Sequence, residues 1–524
     1  MNLTMKLCVL AMLLGALSVA LPCAANQVTG ARSQAALAHV SQAKKYLTEN
    51  EPSLARTELE AAIRIDPNYG EAYYLLGQLD LQGGDIAQAI SAFEQALKLD
   101  PNSFNSHYGL AMAFLRNHDV RSGTRELKAA LNLRPHDVDA NYNLGVLLLD
   151  EGRPAEAIEH LRLSRTPGHE RPDVAYNLIR SELEANQPVE AKKEANQSAD
   201  SLASDANWQA AVGQMFLEHN IPDAAIQYLS RALALRPDSI EIQRPLAAAY
   251  LESSMPGRAV GLIKNPKSGE DYYLLASANY MLQKYTAAAS NATTAVHMEP
   301  GKPQYLLLAA RVDQHLGLHD AALRLLQNAI KLEPKWADLY YSAGVSLYCE
   351  KRYVDAQKYL TESLSLQPDS ARTLFLYAVS LVSEGNDQEG ESYLRRAVEL
   401  NPRNAHFQYY LGEVLMRQNR LSDAERVYRR AIAIDPQYAA VHYQLGKIML
   451  RTNQPGLAAQ QTEKAISYDP SLAEAYYQLI QAYNKLGERE KSARAAVIFA
   501  KLKKENISDK EKFYESVKKE LGLP

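Results

Sequence analysis

The 524-residue sequence carries 57 Lys and Arg against 61 Asp and Glu, which gives a formal net charge of −4. It has no block of basic residues, and this charge balance argues against a nucleic-acid-binding protein. The chain contains 31 Tyr but only 8 Phe, a bias that favours half-hydrated surfaces over a dry aromatic core.

The first 25 residues have the charge pattern and length of a secretory signal peptide. Lys6 precedes an apolar run over residues 7–21, and small residues follow as far as Ala25. We therefore expect residues 1–25 to be removed on export and the mature chain to be periplasmic or secreted, with residues 26–35 as a short linker. A retained membrane anchor is the alternative, although the run is shorter than the roughly 20 residues of a span.

The cysteines agree with export into an oxidising compartment. Cys8 and Cys23 would leave with the signal peptide, so the mature chain would keep Cys349 alone. An internal disulfide is then impossible, and the stability of the fold must come from packing.

Prolines recur at intervals of 34 residues along most of the chain. The two series are Pro67, Pro101 and Pro135, and then Pro300, Pro334, Pro368, Pro402, Pro436 and Pro470. A fixed period of this length indicates an internal repeat, and each proline should end a helix near the residue before it. With the proline at position 32, fourteen repeats begin at Ala36, Gly70, Phe104, Val138, Pro172, Ala206, Ile240, Gly269, Pro303, Ala337, Ala371, Ala405, Ala439 and Ala473.

Small residues at two other positions support this register. Position 20 is Ala, Gly or Ser in every repeat, and position 8 is Gly or Ala in all repeats except those with Ile179 and Ile480. Position 7 is usually Leu. Small residues let two helices approach closely, so each repeat is predicted to hold helix A over positions 1–14 and helix B over positions 18–30.

This pattern resembles the tetratricopeptide repeat. The repeat over residues 70–103 shows most of the family motif, with Tyr73, Leu76, Gly77, Ala89, Phe93, Ala96 and Pro101. The resemblance covers residues 36–506 and suggests a type exported by bacteria. It implies an all-α fold, a right-handed α-solenoid of about 14 helix-turn-helix repeats with a C-terminal capping helix. Motif residues of this family are packing residues, so they are nearly silent on function.

Three stretches depart from the pattern and are the predicted hinges. The repeat over residues 240–268 is five residues short, and SRTPGHERPD and QSADSLASDAN replace the proline corners of two earlier repeats. We accordingly divide the repeats into an N-terminal block over residues 36–268 and a C-terminal block over residues 269–506.

Residues 507–524 are predicted to form the capping helix. Ser508 to Glu511 has capping-box spacing, and Phe513, Val517 and Leu521 recur every four residues. This single apolar stripe is expected to cover the exposed face of the last repeat, as a solenoid requires.

Positions 2, 5, 9 and 13 of helix A share one side, opposite the packing positions, and are predicted to face outward. In tetratricopeptide proteins this side lines a concave groove that binds extended peptides or partner helices. Position 5 is aromatic in ten of the fourteen repeats, which suits binding but also suits the family's ordinary packing. The predicted groove tyrosines and their one substitute are Tyr74, Tyr108, Tyr142, Tyr176, Tyr273, Tyr341, Phe375, Tyr409, Tyr443 and Tyr477.

Position 13 carries charges in two runs. It is acidic in four consecutive repeats and basic in the last three: Asp150, Glu184, Glu218 and Glu252, then Arg417, Arg451 and Lys485. The groove is predicted to be acidic in its middle and basic towards its C-terminal end. The alternative is a solvated face, since Arg180 lies one turn from Glu184 and could neutralise it.

Two groove chemistries known from the family were compared with the sequence. The Lys, Asn and Arg set by which co-chaperone repeats hold a C-terminal carboxylate is absent from any three consecutive repeats. The asparagine ladder of sugar-transferring relatives uses Asn at position 6, and only Asn143 and Asn177 match it. These two residues could hold a short length of peptide backbone.

No catalytic, cofactor or metal site is predicted. The repeats leave no room for a separate globular domain, no phosphate-binding glycine loop is present, and a metal site at His315 and His319 is doubtful because Gly317 lies between them. The sequence favours a non-catalytic scaffold or adaptor that binds a protein or peptide in its groove during cell-envelope assembly or export. The alternative is an accessory subunit that presents substrates to a separate enzyme. No membrane span is expected after signal cleavage, and the sequence leaves the oligomeric state open.

Overall fold

The computed structural model describes residues 31–166, 171–502, 509–521 and 523. In these residues the chain forms fourteen consecutive helix pairs followed by one further helix, an all-α repeat solenoid as the sequence predicts. The predicted signal peptide, residues 1–25, lies outside the described residues. The chain divides into two compact units, of which the first ends at Pro245 and the second begins at Leu246.

The first unit contains six complete helix pairs. Its helices are α1 Ala31–Thr48, α2 Pro52–Ile65, α3 Gly70–Gly83, α4 Ile86–Leu99, α5 Phe104–Arg116, α6 Val120–Leu133, α7 Val138–Asp150, α8 Pro154–Leu163, α9 Pro172–Glu184, α10 Pro188–Ala199, α11 Ala206–Glu218 and α12 Pro222–Leu235. Helix α13, Ile240–Glu252, contains the boundary between the units. Helix α1 begins inside the segment that the sequence assigns to a linker.

The second unit contains the remaining helices. They are α14 Pro256–Leu262, α15 Gly269–Met281, α16 Tyr285–Met298, α17 Pro303–His315, α18 His319–Leu332, α19 Ala337–Cys349, α20 Tyr353–Leu366, α21 Ala371–Glu384, α22 Asp387–Leu400, α23 Ala405–Arg417, α24 Leu421–Ile434, α25 Ala439–Arg451, α26 Pro455–Tyr468, α27 Ala473–Leu486, α28 Arg489–Leu502 and α29 Asp509–Glu520.

The proline corners end helix B as the spacing predicts. Before Pro436, the Asp435 N–H makes the last helical bond, to the Ala431 carbonyl at 2.9 Å. The Asp435 carboxylate then accepts a hydrogen bond from the Gln437 N–H at 3.0 Å, which forms an Asx turn. Proline therefore stops the helix, and the aspartate side chain holds the chain in the turn towards the next repeat.

The turn between helix A and helix B has a feature that the sequence reading missed. Position 15 has a positive φ in all fourteen repeats, and glycine occupies it in only five. Five others use Asn, which tolerates this conformation, whereas Gln283 and Lys351 both have a φ of 58°. The frequent Gly or Asn at position 15 was the signal that could have revealed this left-handed turn.

The small residues at position 8 make room for the large residue at position 24 of the same repeat. A Cβ added to Gly344 would lie 2.6 Å from Leu360 Cδ2, and one added to Gly145 would lie 2.7 Å from Leu161 Cγ. Such contacts are closer than carbon atoms allow, so glycine is what permits the two helices to pack.

The departures from the repeat pattern shorten helix B or lengthen the connection that follows it. In the repeat over residues 240–268, helix α14 has only seven residues. Helix α8 ends at Leu163, directly before the stretch SRTPGHERPD, of which residues 167–170 lie outside the described part. In QSADSLASDAN, the Leu202 N–H still bonds to the Ser198 carbonyl at 3.0 Å before α11 begins.

Helix α29 forms as predicted, but its position differs from the prediction. It packs against α21, and its residues Tyr514 and Val517 join the core of the repeats between Val345 and Ile448. The last repeat keeps Val497 58% exposed and Ile498 41% exposed. The expectation that α29 covers the exposed face of the last repeat is therefore wrong.

Candidate functional site: the A-helix face

We define the A-helix face as the surface formed by positions 2, 5, 9 and 13 of the first helix in each pair. In each unit, this face carries the residues that the sequence predicts to line a groove. Repeats are named below by their first residue.

In the first unit, the position-5 tyrosines lie against neighbouring side chains. Tyr108 stacks on Phe104 with ring centroids 5.9 Å apart, and the Arg171 guanidinium lies 4.7 Å from the Tyr142 ring centroid. Burial raises the pKa of Tyr74 to about 12. Tyr142 is buried, while Tyr74, Tyr108 and Tyr176 are half-buried, so the ladder in this unit is mostly part of the packing.

The two predicted asparagines also make contacts between repeats. Asn143 Nδ2 donates a hydrogen bond to the Tyr108 hydroxyl at 2.8 Å, and Asn177 Nδ2 donates one to the Tyr142 hydroxyl at 3.3 Å. Each asparagine thus links its repeat to the tyrosine of the preceding repeat. Because these amides already have protein partners, a peptide backbone would have to compete for them.

In four repeats of the second unit, the position-5 ring contacts an aromatic or basic residue in or leading into the next repeat. Phe375 stacks on Phe407 with centroids 5.0 Å apart and is buried. Tyr273, Tyr341, Tyr409 and Tyr443 are half-buried. Tyr273 stacks on Tyr305 at a centroid distance of 4.7 Å, and Arg372 lies 4.6 Å from the Tyr341 ring centroid. Tyr438 lies 5.4 Å from the Tyr409 ring, and Gln478 donates a hydrogen bond to the Tyr443 carbonyl.

Tyr477 differs from the rest of the ladder because its side chain is 51% exposed. Its ring is tilted by 37° against that of Phe499, at a centroid distance of 5.5 Å. Of the predicted aromatic residues, it therefore offers the largest accessible surface to a partner.

The acidic position-13 residues of the first unit are partly neutralised. Arg180 Nε donates to Glu184 at 2.8 Å, and an Arg180 amino group donates to Asp150 at 3.4 Å. Glu218 accepts a hydrogen bond from Gln214 at 3.0 Å. Arg180 therefore neutralises part of the acidic charge, as expected if position 13 is only a solvated face. The negative potential on the A-helix face of this unit is weaker than its number of carboxylates suggests.

The position-13 residues of the second unit fall into two groups. Arg417 donates to the Val382 carbonyl at 3.3 Å and lies 3.6 Å from the Asp387 carboxylate, so it helps to join two repeats. Arg451 and Lys485 are exposed. Glu252 is also exposed, and partial desolvation raises its pKa. Arg417 is exposed as well, so the positive charge at position 13 extends over the last three repeats.

Helix α29 lies on the A helices of the Ala337, Ala371 and Ala405 repeats, where it contacts position 13 of the A-helix face and the adjoining positions 12 and 6. The Tyr514 hydroxyl donates to the Cys349 carbonyl at 2.5 Å, and the Tyr410 hydroxyl donates to Ser516 Oγ at 3.0 Å. The Tyr514 ring stacks on Tyr348 with centroids 5.8 Å apart. The A helices α19, α21 and α23 therefore bind a helix on the side that the sequence assigns to a partner.

The structure shows no cluster of three or more metal-binding side chains among the residues it describes. Within the same residues, no helix is both long and apolar enough to cross a membrane.

His315 stacks on Tyr285 with centroids 4.5 Å apart and shares a hydrogen bond with Tyr280 at 2.9 Å. These contacts give the histidine a packing role.

Comparison with known proteins identifies the repeats. A model described as tetratricopeptide repeat matches residues 108–170, 176–240 and 378–439, and a second, described as TPR repeat, matches residues 77–117. These segments are therefore tetratricopeptide repeats. No curated protein matches the chain.

Two solved structures are among those that match this chain. The crystal structure of the APC/C hetero-tetramer Cut9-Hcn1 matches at 15% identity and a TM-score of 0.41, over 86% of this chain and 98% of that one. The crystal structure of YrrB, described as a TPR protein with an unusual peptide-binding site, matches at 22% identity and a TM-score of 0.32, over 36% of this chain and 97% of that one.

Proposed function

We propose that this chain of tetratricopeptide repeats is a non-catalytic scaffold that binds segments of other proteins on its A-helix face, in cell-envelope assembly or export. The observation that carries the proposal is the packing of α29, because the A helices α19, α21 and α23 already hold a helical segment there. A face that binds one helix in this way has the apolar surface and hydrogen-bonding groups that a partner segment needs.

The accessible part of the face indicates where a partner would make its first contact. Tyr477 supplies exposed aromatic area, and Arg451 and Lys485 supply positive charge on the same side of the last two repeats. Aromatic and basic groups together favour a partner segment with apolar and acidic side chains.

The test is site-specific photocrosslinking in the native host. A photoreactive amino acid replaces Tyr477, and the matched control replaces Tyr468, which is 43% exposed at the end of the B helix α26. We expect one recurring protein partner from position 477 and none from 468. The same products from both positions, or none from either, would contradict the proposal. A structural protein as partner supports the scaffold, whereas an enzyme supports the accessory-subunit alternative.

Charge reversal at the exposed basic residues gives a second test. Arg451→Glu with Lys485→Glu should weaken partner capture about tenfold and remove most of its salt dependence, because two favourable long-range charge interactions become repulsive. Arg417 is left unchanged because it contacts Val382 and Asp387. Partner affinity measured at low and high salt gives the answer, and unchanged affinity at low salt would exclude a charge-guided site.

The proposed location is the periplasm or the exterior, based on the composition of residues 1–25. Expression in the native host, followed by fractionation and N-terminal sequencing, should yield a mature chain that begins near residue 26 outside the cytoplasm. An intact N-terminus in a cytoplasmic fraction would contradict the export proposal and leave the binding proposal unaffected.

A further inference from the structure

The end of the chain is bound into the largest apolar cluster of the second unit. Tyr514 is 6% exposed, Val517 is fully buried and Leu523 is 8% exposed, and all three belong to the cluster that contains Phe375 and Tyr410. Burial of this valine and this tyrosine removes apolar surface from water and so stabilises the docking of the helix.

Polar contacts fix how this helix is oriented. The Cys349 carbonyl lies at the C-terminal end of α19, where a helix leaves its last carbonyls without intrahelical partners. The Tyr514 hydroxyl donates a hydrogen bond to it. The Lys351 ammonium lies 4.7 Å from the Tyr514 ring centroid, which adds a cation–π contact. The interface therefore has an aromatic residue anchored at both its ring and its hydroxyl.

Helix α29 depends on this docking for its own structure. It has twelve residues, and isolated helices of that length are marginal in water. Lys519 is exposed and Val517 is fully buried, whereas Lys518 is half-buried with its ammonium 5.7 Å from the Tyr514 ring centroid. The helix is thus amphipathic, with an aromatic and an aliphatic side chain one turn apart on its bound side.

We propose that α29 is an internal ligand of the A-helix face in the Ala337, Ala371 and Ala405 repeats. A partner reaches this part of the face only by displacing α29, and that partner is an amphipathic helix with an aromatic and an aliphatic residue three positions apart. This inference rests on the proposed function, because it specifies the partner of the same face. The tether gives α29 an effective concentration of about millimolar, so a competing helix must bind more tightly or find α29 already released.

The experiment uses the full chain and a labelled synthetic peptide of residues 509–523 as the probe. Val517→Asp places a carboxylate in a fully buried position, which should release α29. The control is Val497→Asp, the same change at a valine that is 58% exposed on α28. We expect the Val517→Asp chain to bind the peptide at least about 30-fold more tightly than the wild type or the control, by fluorescence anisotropy.

Cys349 provides an independent readout in the same samples. It is 7% exposed, and burial raises the pKa of its thiol to about 12, so little thiolate forms at pH 8 while α29 is docked. Release of α29 should speed its alkylation about tenfold or more, measured by mass spectrometry of the peptide that contains it. Equal peptide affinity in wild type and Val517→Asp, or unchanged alkylation of Cys349, would overturn the proposal.

Two further arms keep the result decisive. If Val517→Asp fails to fold, as judged by circular dichroism, Tyr514→Ala in the full chain replaces it, and no gain in either readout overturns the proposal. A peptide that itself carries Val517→Asp should not bind the released chain, and binding by that peptide would also overturn it.

The outcomes separate this inference from the proposed function. A wild-type chain that binds the peptide of residues 509–523 with the affinity of Val517→Asp and with Cys349 still protected overturns the internal ligand, while a partner crosslinked at Tyr477 would still support the scaffold. If the Val517→Asp chain binds the peptide and the wild-type chain does not, the internal ligand is supported. If, in addition, no partner is crosslinked at Tyr477, the result counts against the scaffold.

Discussion

The A-helix face has two different surfaces within the second unit. In the Ala337, Ala371 and Ala405 repeats it is covered, with Cys349 and Tyr410 in hydrogen-bond contact with α29. In the Ala473 repeat the same face leaves Tyr477 51% exposed and Lys485 exposed. Both regions are built from helix pairs whose two helices are joined by a turn with a positive φ at position 15.

This difference teaches that the repeat pattern alone does not decide which part of the face is available to a partner. Twelve residues outside the repeats decide it, because α29 selects the apolar region around Phe375 and leaves the basic end open. The family motif describes how helices pack within and between repeats, and the covered and open regions share that packing.

The largest expected effect is the loss of stability when a methyl group is added to a glycine at position 8. It tests whether the helices of the covered and open regions pack in the same way. Gly412→Ala, in a covered repeat, would push its Cβ into the Tyr428 ring, and Gly446→Ala, in an open repeat, would place its Cβ 2.6 Å from Thr462 Oγ1. Each should lower the free energy of unfolding by about 1–3 kcal/mol, measured by chemical denaturation. Gly456→Ala, which meets open space, is the control. A loss confined to Gly412→Ala would mean that the regions differ in more than α29.

A smaller effect is expected from one hydrogen bond at the covered region. Tyr410→Phe removes the hydroxyl that donates to Ser516 and should weaken the docking of α29 by about 1 kcal/mol, or about fivefold. The alkylation rate of Cys349 should rise accordingly. Tyr477→Phe, in the open region, should leave the alkylation rate of Cys349 unchanged. Equal rates in the two variants would mean that the Tyr410 hydroxyl does not stabilise the docking of α29.

The smallest effect concerns a turn that lies outside both regions. Gln283→Gly should stabilise the chain by about 0.5–1 kcal/mol, because glycine adopts the observed φ of 58° without steric cost. Gly385→Ala, at a φ of 92° in a covered repeat, should destabilise it by a similar amount. Thermal denaturation of both variants measures the difference, and shifts of the same sign would contradict the left-handed turn.

Much of the fold follows from the sequence because the same physical constraint recurs in most repeats. Proline at position 32 cannot continue a helix, and small residues at positions 8 and 20 allow close packing, so the pairing of helices could be predicted. The positive φ at position 15 escaped notice because Gln283 and Lys351 are not residues that usually adopt it.

The binding face could be predicted only in part. Helical geometry places position 5 on the outer side of one repeat, but Phe375 is buried because Phe407 of the next repeat stacks on it. The position of α29 could not be predicted either, since an apolar stripe such as that of Val517 fits any apolar surface of suitable width. The burial of Phe375 depends on a contact between two repeats, and the position of α29 depends on its contacts with the repeats. The sequence pattern contains neither kind of contact.

Hydrogen–deuterium exchange of residues 509–520 in the full-length wild-type chain is the most direct test of the central claim that the A-helix face binds α29. The account predicts that these amides exchange at least about 100-fold more slowly than in the isolated peptide, and that Val517→Asp abolishes this protection. Exchange at the rate of the free peptide in the wild-type chain would contradict it.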